Sequence, residues 1–295
     1  MYHRFGESKY PSTNITVEQL ESHLNYLVEQ NFRFTQASDL LDPEQQKEKT
    51  ITVTIDDAYL SFYEVGLPIF EKYQVPVTLF LNTENVGGFN YMSWDQLRDV
   101  LDRGVEIQNH SHTHSSFSTL DEEAIINEIE TSQSLIFANL NITPNLFAFP
   151  FGESSDMAQK VIERYFDAAF GQHSGAFSMN YQYYIPRFPL NENYGSLDRL
   201  REISKSLPFE AAQLQPSNPT LNPPSTRFVL DVEGGVNGVN CFISDFQGSI
   251  EKQMTTLENK LLIELSRMPV SGRLRFNCTR VDDGIFWYGH QYFIN

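Results

Sequence analysis

The sequence predicts an α/β fold for its first two thirds and a smaller β-rich region for the remainder. Short apolar runs recur along the first part, and amphipathic helix patterns separate them. That alternation is typical of a parallel sheet buried on both faces, as in a (β/α) barrel. Strand-like runs then follow a Pro-rich stretch. We therefore predict a (β/α) barrel domain at residues 1–207, a linker at 208–225 and a β-rich accessory region at 226–295.

Capping boxes indicate where three helices of the first part begin. In this motif a Thr or Ser, followed three residues later by Gln or Glu, satisfies the free N–H groups of a first helical turn. Thr16, Ser93 and Thr119 each begin such a pattern. Apolar residues at helical spacing follow each of them, so we expect three amphipathic helices.

Apolar runs predict the strands of both parts. The predicted strands of the parallel sheet are residues 51–55, 77–81, 105–107, 146–149 and 168–170. The predicted strands of the accessory region are residues 227–231, 239–244, 273–281 and 285–294, with one helical stretch near 250–267. Asp283 and Gly284 separate the last two runs and predict a tight hairpin turn.

The charge of the chain argues against polyanionic partners. It has 21 Lys and Arg residues against 38 Asp and Glu residues, a formal net charge of -17. Nucleic acid would be repelled, and a neutral or cationic partner is more natural. We expect no transmembrane segment, because no run reaches the roughly 18 apolar residues that a membrane helix needs.

The sequence leaves the state of its two cysteines open. Cys241 and Cys278 either form a disulfide or lie buried as small apolar side chains.

Two polar clusters follow two of the predicted parallel strands. Asp56 and Asp57 follow the first, and the sequence His110-Ser-His-Thr-His114 follows the third. The carboxyl ends of parallel strands share one rim of a barrel, so we expect these clusters to meet there. They supply a carboxylate and two imidazoles for a divalent metal, which needs about three protein ligands, and leave one carboxylate to accept a proton.

Simpler interpretations exist for both clusters. Asp57 can be a helix cap in a solvated turn, as Asp-Asp pairs often are. The histidines can be unliganded loop residues. If His110 and His114 share a helical face at i and i+4, His112 points away, and we leave it outside the ligand set.

These residues carry a family resemblance over roughly residues 1–190. Thr54-Ile-Asp-Asp57 resembles the Thr-Phe-Asp-Asp motif of the polysaccharide deacetylases, which form carbohydrate esterase family 4 with the NodB-homology fold. His110-x-x-x-His114 resembles their His-x-x-x-His motif. Phe147-Ala-Phe-Pro-Phe-Gly152 and Tyr2-His3 resemble motifs of the branch that includes the poly-N-acetylglucosamine deacetylases.

The resemblance implies a distorted, TIM-like (β/α) barrel with a metal held by Asp57, His110 and His114. Zinc suits this ligand set, and cobalt or nickel suit it nearly as well. Asp56 is then the general base that takes a proton from the attacking water. His3 is our candidate for the general acid, and the backbone N–H of Phe151 is the implied oxyanion donor.

Several assignments stay open. His173 also follows a strand-like run and rivals His3 as the acid, although an exposed loop histidine is the simpler interpretation. The third motif lacks its usual Arg, and that loss would remove a partner that orients Asp56. Four further side chains can line a sugar groove or lie in the core: Tyr59, Trp94, Phe149 and Arg187.

The resemblance implies a metal-dependent hydrolase that removes N-acetyl groups from an N-acetylated oligo- or polysaccharide. The alternatives are a deacylase of a non-sugar amide and an inactive barrel that binds carbohydrate. The second alternative is motivated by the missing Arg and the added C-terminal region. The resemblance favours a periplasmic or extracellular location. No secretory leader pattern occurs in the sequence, and its abrupt start leaves secretion open.

Overall fold

The first part of the chain is a half-barrel of parallel strands. The computed structural model describes residues 1–46, 49–209 and 212–294. A short parallel pair, β1 (Arg4–Phe5) and β2 (Asn14–Ile15), precedes the main sheet. Six parallel strands then lie side by side in chain order: β3 (Arg33–Thr35), β4 (Thr50–Asp56), β5 (Val77–Leu81), β6 (Glu106–Asn109), β7 (Leu146–Ala148) and β8 (Ala168–Phe170). The predicted α/β fold and its five strands are confirmed, whereas β3 was not predicted.

Six helices connect and follow the strands of the half-barrel. They are α1 (Val17–Glu29), α2 (Leu67–Lys72), α3 (Trp94–Asp102), α4 (Glu122–Leu140), α5 (Asp156–Ile162) and α6 (Leu197–Ile203). The capping boxes at Thr16 and Ser93 are confirmed. The one at Thr119 is wrong, because the side chain of Asp121 accepts the first-turn N–H of Ala124 and caps α4.

The first residues of the chain extend the sheet next to β4. The N–H of Tyr2 donates to the carbonyl oxygen of Thr54 (2.9 Å), and the N–H of Asp56 donates back to the carbonyl oxygen of Tyr2 (3.0 Å). Tyr2 therefore lies level with Ile55 in a parallel bridge. His3 follows at the level of the Asp56-Asp57 pair, at the carboxyl end of β4.

The C-terminal part consists of two mainly antiparallel sheets that share one apolar core; β9 and β11 pair with β18 in parallel. Its strands are β9 (Ser206–Leu207), β10 (Ala212–Gln215), β11 (Thr220–Leu221), β12 (Arg227–Val232), β13 (Asn240–Asp245), β14 (Gly248–Ser249), β15 (Lys252–Leu257), β16 (Lys260–Leu265), β17 (Gly272–Val281) and β18 (Ile285–Ile294). One sheet has the order β10-β12-β16-β15. The other has the order β11-β18-β17-β13-β14, with β9 next to β18. The four predicted strands and the turn at Asp283-Gly284 are confirmed.

Two sequence predictions for this part need comment. The helix near residues 250–267 is wrong, because β15 and β16 form a hairpin there whose turn includes Glu258 in the left-handed region (φ 53°). The three-part division of the chain stays a prediction. Strands β10 and β11 lie inside the proposed linker and pair with β12 and β18, so much of the Pro-rich stretch belongs to the C-terminal sheets.

The two cysteines, whose state the sequence left open, form a disulfide. Cys241 on β13 and Cys278 on β17 are directly opposed in the antiparallel ladder, and their sulfur atoms are bonded. The bond ties the two strands together at the centre of their sheet.

None of the helices in the described part of the chain combines the length and the apolar character that crossing a bilayer requires.

The C-terminal sheets pack on the carboxyl end of the half-barrel. Nε of Arg273, on β17, donates to Oε1 of Glu153 (2.9 Å). Nε2 of Gln291, on β18, and the hydroxyl of Tyr184 both donate to the carbonyl oxygen of Gly152, at 3.3 and 2.7 Å. The loop that carries the third sequence motif is therefore clamped between the two parts of the molecule.

Candidate active site

Three potential metal ligands meet at the carboxyl end of the sheet. Asp57 follows β4, His110 follows β6, and His114 lies in the loop beyond. Oδ1 of Asp57 lies 3.5 Å from Nε2 of His110 and 3.1 Å from Nε2 of His114. One potential ligand atom from each residue lies within 4.8 Å of the other two. The strand topology thus brings Asp57 next to two histidines that lie more than fifty residues later in the sequence, as we expected.

His110 is oriented as a metal ligand requires. Its ring is fully buried, and Nδ1 lies 2.7 Å from the carbonyl oxygen of Ala148. A carbonyl only accepts, so Nδ1 carries a proton, and in the neutral ring the lone pair lies on Nε2, on the side of Asp57 and His114. Nε2 is buried without a hydrogen-bond partner among the described residues. An imidazole nitrogen left unsatisfied next to a carboxylate and a second imidazole fits a bound divalent cation.

The charges around the cluster favour its ionised carboxylate. Burial raises the pKa of Asp57, but its contacts with His110 and His114 outweigh that effect and hold the pKa well below the usual value. Burial lowers the pKa of His110, and the carboxylates of Asp57 and Asp56 outweigh it, so the net shift is upward. Nδ2 of Asn82 also donates to Oδ1 of Asp57 (3.1 Å) and orients that carboxylate.

The helical spacing invoked for the histidines is wrong, although the separation of His112 from the cluster is correct. The segment after β6 is not helical, and His114 has a left-handed backbone (φ 61°). His112 instead lies with its Nδ1 2.9 Å from the hydroxyl of Thr83. A turn, rather than a helix face, brings His114 back to His110.

Asp56 is held by an arginine that the sequence analysis did not assign to it. Nη1 and Nη2 of Arg187 donate to Oδ1 and Oδ2 of Asp56 at 2.7 and 2.8 Å, a bidentate ion pair. Both side chains are almost fully buried. The expectation that Asp56 lacks an orienting partner is therefore wrong. Arg187 orients Asp56 instead, and it lies in the segment 171–190, well beyond the third motif at residues 147–152.

Arg187 is itself fixed by its surroundings. Its Nε donates to the carbonyl oxygen of Gly171 (2.8 Å), and the guanidinium lies between the rings of Phe80 and Phe170. Burial raises the pKa of Asp56, and the charge of Arg187 outweighs this and lowers it. A sequence signal existed: Arg187 is the one charged residue in an aromatic and Pro-rich stretch, and a buried Arg needs a buried carboxylate.

The two candidate acids occupy different surroundings. His3 lies next to Asp56 and Asp57. Burial lowers the pKa of His3, and both carboxylates oppose that shift. His173 is buried and packs on Tyr184, with ring centroids 4.5 Å apart. Burial, followed by the charges of His290 and Arg187, lowers the pKa of His173 far below its usual value. His173 is thus not the exposed loop residue of the simpler interpretation.

Phe151 lies next to the cluster with its ring partly exposed. The ring packs edge-on against His114, at 4.4 Å between centroids, and the guanidinium of Arg273 lies 5.8 Å from it. Of the other groove candidates, Tyr59 lines the cleft, whereas Phe149 is buried and Trp94 packs on the core. Arg187 belongs to the ion pair rather than to a groove.

Five non-glycine residues around the cluster have left-handed backbones. They are Asp57 (φ 76°), Ala58 (φ 57°), Ser111 (φ 70°), His114 (φ 61°) and Phe151 (φ 59°). Such conformations cost free energy and concentrate at functional sites, where the surroundings enforce them. Here they turn the chain sharply after each strand and direct Asp57 and His114 toward one point.

A cleft of about 710 Å³ opens onto the cluster. His3, Asp57, His114 and Phe151 line one side, and residues of β17 and β18 line the other. The C-terminal sheets thus form a wall of the cleft. The sequence did not predict that the accessory region lies next to the site and lines its cleft.

Comparison with known proteins identifies relatives over the half-barrel. Residues 44–165 match the profile of the polysaccharide deacetylase family. The chain is 21% identical over 168 residues to the Bacillus subtilis protein YxkH, described as a polysaccharide deacetylase; the match covers 56% of this chain and 60% of that protein. The chain therefore spans less than two thirds of this relative's length.

Two further proteins resemble the chain over a larger share of their length. A poly-beta-1,6-N-acetyl-D-glucosamine N-deacetylase of Staphylococcus aureus is 24% identical over 209 residues, covering 64% of this chain and 72% of that protein. The structure of the Streptococcus pyogenes deacetylase PplD in complex with acetate superposes with a TM-score of 0.64 at 20% identity. That superposition covers 70% of this chain and 96% of PplD, and it supports the fold.

Proposed function

Because the chain belongs to the polysaccharide deacetylase family, we propose that it is a metal-dependent hydrolase that removes N-acetyl groups from an N-acetylated carbohydrate. The observation that carries the proposal is the proximity of two groups at the cleft. One is the cluster of Asp57, His110 and His114, and the other is Asp56 in its ion pair with Arg187. The first can bind a divalent cation, and the second can accept a proton.

The metal ligands in this proposal are Asp57, His110 and His114. Zinc is the first choice for one carboxylate and two imidazoles, with cobalt and nickel as alternatives. When bound, such an ion lowers the pKa of water and polarises the acetyl carbonyl. The remaining chemistry belongs to the chain's own residues.

Asp56 acts as the general base. Its two oxygens are fixed by Arg187, so the carboxylate cannot rotate away from the water that attacks the acetyl carbon. The ion pair also keeps Asp56 ionised despite complete burial. A base held in one position accepts the water proton without first paying the entropy of ordering its side chain.

His3 acts as the general acid that protonates the departing nitrogen. A proton donor is required because an amide anion is a poor leaving group. The parallel bridge of Tyr2 with Ile55 keeps His3 level with the Asp pair, and His3 lines the cleft. His173 remains the rival, because it lines the same cleft, where it packs on Tyr184. The backbone N–H of Phe151 is the proposed donor to the developing oxyanion.

The alternative of an inactive, carbohydrate-binding barrel loses one of its two grounds. It was motivated by the absence of an arginine next to Asp56 and by the added C-terminal region, and Arg187 supplies the arginine contact. Deacylation of a non-sugar amide uses the same residues and is separated from the main proposal by substrate choice.

The test measures acetate release from oligomers of N-acetylglucosamine by the full chain loaded with zinc. We expect Asp56→Asn to lower kcat by about 10²–10⁴-fold, the usual contribution of a general base. Asp283→Asn is the matched control, because Asp282-Asp283 is the other Asp-Asp pair and lies at a hairpin turn far along the chain. Zinc-loaded protein that releases no acetate from any N-acetylated sugar contradicts the proposal. Release only from non-sugar amides selects the alternative substrate class.

Metal content provides an independent measurement. After chelation and dialysis against zinc, the wild type and His112→Ala should retain about one equivalent, whereas His110→Ala should retain far less. His112 is the matched control because it lies two residues away but contacts Thr83 instead. Equal zinc content in the two variants would remove His110 from the ligand set.

A further inference from the structure

The cleft has a charge balance opposite to that of the whole chain. The chain has 38 acidic residues against 21 basic ones. Among the described residues that line the cleft, Asp57 is the only acidic one, and it belongs to the metal cluster. Arg199, Arg273 and Arg275 line the same cleft, together with four histidines. A basic cleft in an acidic protein indicates that the cleft binds a ligand with negative charge.

Two of these arginines form no ion pair with a residue in the described part of the chain, although Glu202 acts on Arg199 and Glu153 on Arg275 from a longer distance. Arg273 is committed to Glu153 through an ion pair of 2.9 Å. Arg275 has neither an ion pair nor a side-chain hydrogen bond among the described residues. Arg199 has one such contact, from Nη2 to the hydroxyl of Ser174 at 3.4 Å, and its Nε is buried without a partner in the described part of the chain. The buried Nε of Arg199 costs free energy unless a ligand satisfies it, whereas Arg275 is solvent-accessible at the cleft and can offer its donors to a ligand.

Arg199 and Arg275 line the same cleft, together with Tyr194. Burial lowers the pKa of both Arg199 and Arg275, and the phenol of Tyr194 opposes the shift at each of them. Tyr194 therefore lies near both guanidinium groups, and its ring is 62% exposed at the cleft. Glu202 lies near Arg199 without reaching ion-pair distance, so it reduces the positive charge there without using the donors.

We propose that Arg199 and Arg275 bind an anionic group, a carboxylate or a phosphate, on the glycan whose acetamido group lies at the Asp57 cluster. The proposal rests on the proposed function for the identity of the glycan. Guanidinium groups bind carboxylate and phosphate oxygens through paired N–H donors. The exposed ring of Tyr194 provides a surface against which a sugar ring packs. The preferred substrate is thus an acidic N-acetylated glycan rather than a neutral homopolymer.

The test is binding to the full chain after metal removal, measured by calorimetry, so that it does not depend on turnover. The probes are a neutral tetrasaccharide of N-acetylglucosamine, a tetrasaccharide that alternates glucuronic acid with N-acetylglucosamine, and N-acetylglucosamine 6-phosphate. We expect at least one anionic probe to bind about 10- to 100-fold more tightly than the neutral one, because charge-assisted hydrogen bonds contribute on that scale. Comparison of the two anionic probes distinguishes carboxylate from phosphate.

Variants assign the preference to the named residues. Arg275→Gln and Arg199→Gln should each reduce the affinity for the anionic probe toward that of the neutral one, and Arg275→Lys should retain part of the preference. Arg227→Gln is the matched control, because Arg227 is exposed on β12 and does not line the cleft. Unfolding midpoints verify that each variant is folded.

The outcomes separate this proposal from the proposed function. Equal affinity for neutral and anionic probes, or an Arg275→Gln effect of the same size on both, overturns the anion site even if acetate is released. Preferential binding of an anionic probe that Arg275→Gln abolishes supports the site even if no acetate is released. In that last case the proposed catalytic function fails and the anion site stands.

Discussion

Arg187 and Asp56 form the residue pair on which the chemistry of the site depends. Both side chains are almost fully buried, and the two donors of one guanidinium match the two oxygens of one carboxylate. Removal of one partner from such a pair leaves the other charged, buried and unpaired. That loss typically costs about 3–5 kcal/mol of stability.

Substitutions of Arg187 should separate charge from geometry. We expect Arg187→Gln to lower the free energy of unfolding by about 3–5 kcal/mol. Arg187→Lys restores a charge but not the two-pronged contact. It should recover part of the stability while kcat stays low at nearly unchanged KM, because Asp56 is then ionised but poorly oriented. Urea unfolding and steady-state kinetics measure the two effects, and a Lys variant with wild-type kcat would contradict the positioning role.

At the residue scale the sequence located the cluster of Asp57, His110 and His114 because Asp57 and His110 directly follow apolar strands and His114 lies four residues after His110. Topology then brings the strand ends together whatever their separation in the chain. Arg187 escaped prediction because no motif marks it and because 131 residues separate it from Asp56. Its place next to Asp56 depends on how the chain returns across the sheet after β8, and that path has no local sequence signature.

At the scale of elements, a buried aspartate at the end of β13 holds the segment that connects β16 to β17. Asp245 ends β13, and its carboxylate accepts two hydrogen bonds from Arg267, at 2.6 and 2.8 Å. The backbone N–H groups of Val270 and Gln247 donate to the same carboxylate. The contacts with Arg267, followed by these backbone groups, lower the pKa of Asp245 to about 2.

This lowered pKa predicts a pH-dependent contribution to stability. The contribution is complete above the unfolded-state pKa of about 4 and is lost as the pH falls toward 2. We expect Asp245→Asn to lower the free energy of unfolding by about 1–2 kcal/mol near neutral pH, and by progressively less below about pH 4. Urea unfolding at several pH values measures the difference. Asp231→Asn is the control, because its pair with Lys260 is exposed and should contribute less than about 1 kcal/mol.

The elements themselves were predictable to different degrees. The strands of the half-barrel are apolar throughout because both faces are covered, and that pattern is hard to mistake. The hairpin of β15 and β16 was predicted as a helix because it mixes charged and apolar residues over a helix-like length. The alternate burial of Lys260–Leu265 shows the period of two that distinguishes it. Pairing with β12, a distant strand, selects the extended form.

At the scale of the whole molecule, the half-barrel and the C-terminal sheets form one cleft. The net charge of the chain alone suggested a neutral or cationic partner, but the wall of the cleft has basic rather than acidic residues. The two parts are in close backbone contact at Gly289 on β18, where an added Cβ would lie 1.6 Å from the carbonyl oxygen of Ser174. Backbone meets backbone there, so no side-chain rotation can relieve the clash.

Gly289→Ala should therefore separate the two parts. We expect a loss of about 3 kcal/mol in the free energy of unfolding, the upper range for overpacking. KM for a glycan should rise while zinc content stays unchanged, because the wall moves and the metal cluster does not. Gly284→Ala is the control, since its Cβ would meet only the flexible side chain of Leu207 at 3.1 Å. A Gly289→Ala variant as stable as the wild type would contradict this packing.

The left-handed backbones of Asp57, Ser111, His114 and Phe151 have a consequence for engineering. Glycine at any of them would ease the local conformation, and a search for heat-tolerant variants would be drawn to these positions. Yet glycine at Asp57 or His114 would delete a proposed ligand, and glycine at Ser111 or Phe151 would loosen a bend next to the site, so the gain in thermal tolerance would come at the expense of the catalytic apparatus. Efforts to stabilise the protein should concentrate on its outer loops and leave these positions unchanged.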